Sequence, residues 1–349
     1  MYRFSFIRHN HRTTDVTSLE SQVLQRHLPL FIDKNILFAG GVNDDFPMRI
    51  RCRAAHIWSC YFDYANGKSA VDFTAVFNPS AVFGGSIDLM VYYWTKNKQE
   101  ACFQLMQLLA NAPIGQEMLI IGENRCGVRS AEKLLQPYGD IAKIDSARRC
   151  GLYHFHLKNR PHFNVDTFWK TYQTSKLGEL TVYSLPGVFS ADELDVGTDL
   201  LLSTVDNRIR GDVLDLGCGA GVIGGYVKML NPKAKVTMSD IHAMALESAR
   251  RTLTENKLQG EVVASDVFSH IQGKFNLIIS NPPFHDGIDT AYRAVSELIQ
   301  QAKWHLTDGG ELRIVANAFL PYPDLLDQYF GSHQVLAKTG KFKVYSIRN

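Results

Sequence analysis

Four segments of this chain occur twice, in the same order and at nearly constant spacing, and such a duplication restricts the possible folds more than any other feature. NILFAGG (35–41) and VLDLGCG (213–219) are both short apolar runs that stop at glycine. DLMVYYWTKNK (88–98) stands where NLIISNPPFHD (276–286) stands, and EMLIIGEN (117–124) follows ELRIVANA (311–318) almost position by position. AKIDSARRCGLYHFHL (142–157) echoes LAKTGKFKVYSIRN (336–349). Ordered recurrence of this kind implies one α/β unit copied in tandem, and 349 residues suit two domains better than one. The polar stretch NRPHFNVDTFWKTYQTSKLGEL, with its proline and glycine, is the natural linker. The division is therefore expected within 160–172, giving domains of 1–165 and 166–349.

The second copy is the clearer one. DVLDLG, KVTMSD, GEVVASD, FNLIIS and ELRIVAN read as strands, and GVIGGYVKMLN and HAMALESARRTLTEN as helices. Asp195 to Val205 is expected to form a helix with its leucines on the sheet, and SELIQQAKWHL a helix ending at the pair Gly309-Gly310. Short apolar strands separated by helices imply a mostly parallel sheet covered on both faces. HQVLAKTGKFKVYSIRN has no helix between its strand-like runs and reads as a hairpin around Thr339-Gly340, with an antiparallel strand. The first copy keeps the strands but lacks the acid and second glycine of DLGCG. It has Trp94-Thr95 where the second copy has prolines, so it should fold alike without the same chemistry.

Composition removes several classes of function. With 45% hydrophobic and 21% charged residues, the mix is that of a soluble globular protein. No apolar run approaches the roughly 20 residues of a membrane span. The basic start MYRFSFIRHNHR lacks a continuous apolar core and a small-residue cleavage site, and makes a poor signal peptide. Six cysteines without a CxxC pair argue against structural zinc and a disulfide framework and fit a reducing cytoplasm. The net charge is only +2, so a nucleic-acid footprint would have to be local. ENRCGVRSAEK (123–133) with KIDSARRCG (143–151) offers one, through Arg125, Arg129, Lys133, Lys143, Arg148 and Arg149. A solvated face with interspersed acids is the competing reading.

The chemistry gathers at strand ends. Asp215-Leu216-Gly217-Cys218-Gly219-Ala220-Gly221 sits at the first strand-to-helix turn of the second copy, where glycines let a ligand approach the backbone and free the amides of the helix start. GAGVIG (219–224) also fits the dinucleotide fingerprint. Asp215 separates the two readings, because its carboxylate suits a cationic ligand head and repels a pyrophosphate. Asp240 ends the second strand, where an acid can accept both hydroxyls of a ribose or simply cap the next helix. Asp266 follows the third strand, placed to meet a base edge, although Ser-Asp is also common loop chemistry. After the fourth strand comes SNPPFHDG (280–287). Two prolines cannot continue a ladder, and Pro282 holds Asn281 out of the α region. The result is a stiff loop with an amide, a run of carbonyls and the ring of Phe284. His242, His285 and Asp286 have no second cluster at ligand spacing, so loop and capping roles are expected and no metal site.

DLGCGAG, SD ending a second strand, SDVF and NPPF, in this order, resemble the class I S-adenosylmethionine-dependent methyltransferases. The resemblance implies two tandem Rossmann-like α/β domains, each with a mostly parallel seven-stranded sheet and an antiparallel last strand. It implies S-adenosylmethionine as cofactor, held by Asp215, Gly217, Cys218, Gly219, Gly221, Asp240, Ile241, Asp266, Val267 and Asn281. NPPF is the mark, within that class, of enzymes that methylate a planar nitrogen. Asn281 and the carbonyl of Pro282 would accept the two N–H bonds of an exocyclic amine and turn its lone pair toward the methyl group, with Phe284 stacked on the base. That work is positioning and electrostatics, without a strong general base.

LPGVFS (185–190), LDVG (194–197), SNPPFHDG, GGELRIVANAFLPYPDLLD (309–327) and DSARRCGLY (145–153) extend the likeness over nearly the whole chain. They resemble the 16S ribosomal RNA guanine-N2 methyltransferase family with two tandem methyltransferase-like domains. That implies a catalytic second half, a degenerate first half without cofactor, and one guanine of 16S rRNA in the assembled small subunit as substrate. A cytoplasmic monomer without membrane contact is expected, with Arg125, Arg129, Arg148 and Arg149 as RNA contacts. The alternatives are a protein glutamine-N5 methyltransferase, a DNA adenine-N6 methyltransferase, and a non-catalytic ribosome assembly factor. The first two usually show NPPY, and the complete DLGCG and NPPF sets argue against the third.

Overall fold

Residues 17–81, 85–282 and 288–349 are described by the structure, a computed structural model. Contacts divide it into two units: residues up to Ser59 with Tyr64–Phe163, and Asn164–Asn349 with Cys60–Asp63. Among the described residues no helix is long and apolar enough to cross a membrane.

In the first unit the strands are β1 (Asn35–Gly40), β2 (Ala54–Ser59), β3 (Ser69–Ala70), β4 (Phe73–Phe77), β5 (Leu89–Tyr93), β6 (Glu117–Glu123), β7 (Gly139–Ala147) and β8 (Cys150–Leu157). They form one sheet in the order β3-β4-β2-β1-β5-β6-β8-β7. The neighbours from β4 to β6 pair in parallel, and β8 runs antiparallel to β6 and β7. Among the described residues the departure from seven strands is the two-residue β3, antiparallel on the edge. β5 is buried at every position, as a strand covered on both faces must be. The first half also forms α1 (Leu19–Leu24), α2 (Phe46–Arg49), α3 (Phe62–Ala65), α4 (Lys98–Asn111) and α5 (Ser130–Leu135).

The second unit opens with a small antiparallel pair, β9 (Lys170–Tyr172) and β10 (Val182–Ser184). Its main sheet comprises β11 (Asp212–Leu216), β12 (Lys235–Asp240), β13 (Glu261–Ala264), β14 (Phe275–Ser280), β15 (Leu306–Asn317), β16 (Gln334–Lys338) and β17 (Phe342–Arg348), in the order β13-β12-β11-β14-β15-β17-β16. Pairing is parallel from β13 to β15, and β17 is antiparallel to both its neighbours. α6 (Val196–Leu202), α7 (Val222–Leu230), α8 (Ala243–Glu255), α9 (Ile288–Ala302) and α10 (Tyr322–Phe330) complete it. The repeated segments fall on equivalent strands: β1 and β11, β5 and β14, β6 and β15, and the two closing hairpins.

One expected boundary is corrected. The helix α9 stops at Ala302, a single turn follows at Lys303–His305, and β15 already begins at Leu306. Gly309-Gly310 therefore lies inside a strand, where the β14–β15 register shifts between Phe275 and Leu277. A Cβ on Gly310 would come within 2.9 Å of the carbonyl oxygens of Phe275 and Thr307. The glycines serve an irregular strand start, a use that sequence alone does not separate from a helix stop.

The strand order reverses at β11, whose neighbours are β12 on one side and β14 on the other. This is the topological switch point of the sheet, and the carboxyl edge at such a point is the place where open α/β sheets take their ligands. α8 holds β10 through side chains four residues apart. Ser248 Oγ and Thr252 Oγ1 accept from the Leu185 and Tyr183 amides at 2.9 and 3.0 Å, and Asn256 bonds both amide and carbonyl of Thr181 at 2.9 and 2.7 Å.

Candidate ligand crevice at the carboxyl edge of the second sheet

The turn out of β11 is fixed by the Ser239 carbonyl, which accepts from the amides of Gly217 and Cys218 at 2.8 and 2.9 Å. A Cβ on Gly217 would meet nothing within 4 Å, and one on Gly219 only the Phe189 carbonyl oxygen at 4.0 Å. These two positions leave the wall of the crevice bare. Gly221 faces inward instead: a Cβ there would stand 3.1 Å from Ala249 and 3.2 Å from Met238 Sδ, so this glycine lets α7 lie close to α8. Burial pushes the Cys218 thiol well above its ordinary pKa, which keeps it protonated.

Asp215 is fully buried. Its Oδ2 accepts from the Gly224 amide at 2.7 Å, whereas Oδ1 has no hydrogen-bond partner among the described residues. Burial, reinforced by the nearby Asp240 and opposed by the Gly224 amide, pushes this carboxyl up to about 7. Asp240 accepts from the Gly219 amide through Oδ2 and from the His242 amide through Oδ1, both at 2.9 Å. Burial raises its pKa as well, against those two bonds. The Ile241 amide also bonds this carboxylate, and since a carboxylate has about four acceptor sites, Asp240 retains acceptor capacity toward a hydroxyl. Ile241 follows it, and His242 caps α8, its Nδ1 accepting from the Met244 amide at 3.2 Å.

The loop after β13 is joined to this edge by the Ser265 amide, which donates to the Asp240 carbonyl at 3.0 Å. Ser265 Oγ donates to the Val267 carbonyl at 2.9 Å, and the Asp266 amide donates to Ser269 Oγ at 3.0 Å. Val267 is held at φ 46°, a left-handed conformation that is costly for a β-branched residue and concentrates at functional loops. At the end of β14, Ser280 Oγ donates to the Leu216 carbonyl at 2.6 Å and ties the two strand ends together. Asn281 Nδ2 donates to Asp195 Oδ2 at 3.1 Å and to Thr198 Oγ1 at 2.9 Å. Pro282 is buried; Phe284, His285 and Asp286 lie outside the described residues.

Asp215, Gly217, Gly219, Asp240, Asp266 and Asn281 thus share one sheet edge. An acid with a buried, unpartnered oxygen fits the cationic head of a ligand, the bare glycines fit its closely approaching chain, and Asp240 fits a ribose. Raised carboxyl pKa values in a crevice are themselves a functional signal. Sequence reasoning missed three contributors: Asp195, Thr198 and Ser280. An acid standing just before a helical run was the available sign of Asp195. Among the described residues, no group of three His, Cys, Asp or Glu is placed to hold a metal ion.

In the first unit, Arg125 and Arg129 sit in the turns after β6, and Arg148-Arg149 form the β7–β8 turn. All four are exposed. The Asn124 amide donates to the Arg149 carbonyl at 2.8 Å, which joins the two turns. Arg148 and Arg149 both have left-handed φ, 52° and 62°, at turn positions that favour Asn and Gly.

Comparison with known proteins bears on the family and the fold. Residues 179–346 match the family model described as methyltransferase small domain, and residues 21–172 match its methyltransferase small domain N-terminal counterpart. The chain is 74% identical over 335 residues to the ribosomal RNA small subunit methyltransferase C of Mannheimia succiniciproducens, an alignment covering 95% of this chain and 99% of that one. The protein of the same name from Pasteurella multocida is 72% identical over 331 residues, with the same coverage. Among solved structures, a T. thermophilus 16S rRNA N2 G1207 methyltransferase in complex with AdoMet and guanosine superposes with a TM-score of 0.81 at 22% identity, over 97% of this chain and 93% of that one. That likeness bears on the fold: two tandem α/β domains in one chain.

Proposed function

The chain belongs to the ribosomal RNA small subunit methyltransferase C family, and on that premise we propose that its second unit methylates the exocyclic N2 of a single guanine of 16S rRNA. S-adenosylmethionine, when bound, supplies the methyl group on a sulfonium. Asp215 would hold the cationic head, Gly217 and Gly219 would let the chain pass, Asp240 would accept a ribose hydroxyl, and Asp266 and Val267 would border the base. The observation that carries the reading is the Asn281 amide at the end of β14, held by Asp195 and Thr198, next to the Ser280 hydroxyl that donates to the carbonyl of Leu216 at the end of β11, one residue after Asp215. An aromatic amine is a weak nucleophile because its lone pair is delocalised. With its two N–H bonds directed at Asn281 Oδ1 and the Pro282 carbonyl, the nitrogen becomes more tetrahedral and its lone pair is released. Taking the methyl group leaves the nitrogen cationic and acidic, so its surplus N–H proton passes to water and no strong general base is needed; a target base must leave its stack first, at a cost of a few kcal/mol.

The finer parts of the proposal concern the setting. The substrate is the assembled small subunit, the enzyme is a cytoplasmic monomer, and the first unit places the RNA through Arg125, Arg129, Arg148 and Arg149. Its own strand ends argue against a cofactor. Asp44, which follows β1, accepts from Ser21 Oγ of α1 at 3.0 Å, and that hydroxyl lies 2.7 Å from Tyr93 Oη at the end of β5. These three side chains at the carboxyl edge of the first sheet pair with one another. The test is transfer of labelled methyl from S-adenosylmethionine to small subunits lacking the modification, beside naked rRNA, DNA and release factor. Label on small subunits alone is expected; label on release factor or DNA would favour the glutamine or adenine reading.

A further inference from the structure

We propose that Asp195 and Thr198 are positioning residues that lock the Asn281 amide with its oxygen toward the crevice, so that the end of β14 offers the substrate an acceptor and no donor. The inference rests on the guanine-N2 reading above and deepens it. A primary amide has two N–H groups. Both are taken, one by Asp195 Oδ2 at 3.1 Å and one by Thr198 Oγ1 at 2.9 Å. Among the described residues nothing bonds Oδ1.

The direction of the amide follows from the chemistry of its neighbours. If oxygen and nitrogen were exchanged, the amide oxygen would stand about 3 Å from a carboxylate oxygen, two acceptors with no proton between them. Thr198 alone could not decide the matter, because a hydroxyl donates as readily as it accepts. Asp195 decides it. Its carboxylate is itself held as the N-cap of α6, with the same Oδ2 accepting from the Thr198 amide at 2.9 Å. A Cβ on Gly197 would stand 3.1 Å from that oxygen, so the glycine gives the carboxylate its room. α6 in turn is anchored by buried Leu201 and Leu202. The consequence is a specificity filter. A free amide could rotate to donate to a ring carbonyl, whereas a locked one selects a base edge that presents N–H, as the exocyclic amine of guanine does.

Helix capping alone would not require Asn281, and the test separates the two roles. Thr198→Val is isosteric and removes the acceptor, and Thr198→Ser restores it. Asp195→Ser keeps a good N-cap but is too short to reach Asn281. Single-turnover methylation of unmodified small subunits should slow about 10-fold in Thr198→Val and in Asp195→Ser, and on the order of 100-fold in the pair, the scale of a misplaced reacting group. Thr198→Ser should restore the rate, and subunit KM and cofactor Kd should stay within about twofold. In an Asn281→Ala background the same changes should have no further effect on the rate. Unchanged rates in the pair, or equal losses with and without Asn281, would overturn the proposal. Normal turnover by Asn281→Ala alone would overturn the role of Asn281 and this inference with it, a result distinct from either.

Discussion

At the scale of single residues, the account turns on an acceptor and an acid. Asn281→Ala leaves the glycine turn and Asp240 in place and removes only the oxygen that draws on the amine. Turnover should fall by about 100-fold or more while cofactor affinity, read by calorimetry, stays near that of the native chain. A loss expressed in the transition state lowers kcat and kcat/KM together. Asp215 predicts a pH dependence. Its carboxyl is raised to about 7 from an ordinary 3.8, so between these values the folded protein holds a proton that the unfolded chain has lost. The stability contributed by this group is full below 3.8 and is lost as pH rises toward 7. A cationic ligand favours the carboxylate and reverses the shift. Binding of S-adenosylmethionine near pH 6 should therefore release a proton, and affinity should rise with pH up to about 7. Calorimetry in buffers of different ionisation enthalpy reads that proton directly. The release should vanish in Asp215→Asn; its persistence there would assign the proton elsewhere.

At the scale of elements, most of the fold was legible and the exceptions have physical causes. FNLIIS and KVTMSD could be read because apolar runs of strand length, bounded by turn residues, have few other uses. The pair Gly309-Gly310 misled because glycine relieves a crowded strand as well as it stops a helix. The ties of Asn281 to Asp195 and Thr198 join positions 86 and 83 residues apart, and no local pattern announces them. The Arg148-Arg149 turn was legible only through its echo of the closing hairpin, because it lacks the Asn-Gly that such a hairpin favours. That departure makes a prediction. Replacing the pair by Arg148→Asn and Arg149→Gly relieves two left-handed arginines and should stabilise the protein by about 1–2 kcal/mol in thermal unfolding. Binding to small subunits should nevertheless weaken, with a shallower dependence on salt. A variant that is more stable and binds as before would leave the arginines without a role in RNA placement.

At the scale of the whole molecule, duplication explains the architecture and divergence explains the function. Both sheets follow the same strand order once β3 is set aside, which is why four matching segments were enough to forecast two α/β units. The difference that bears on function lies at the carboxyl edges. One carries Ser21, Asp44 and Tyr93 in a network of its own, and the other carries bare glycines, two acids of raised pKa and a fixed amide. The fold alone would not say which nitrogen receives a methyl group, since function resides in the site. The most direct test is to methylate unmodified small subunits, digest their 16S rRNA to nucleosides and fragments, and locate the added mass. The account predicts N2-methylguanosine at one position, absent when Asn281→Ala replaces the native enzyme. Methyl on a ring nitrogen, on a base other than guanine, or on ribosomal protein would contradict it.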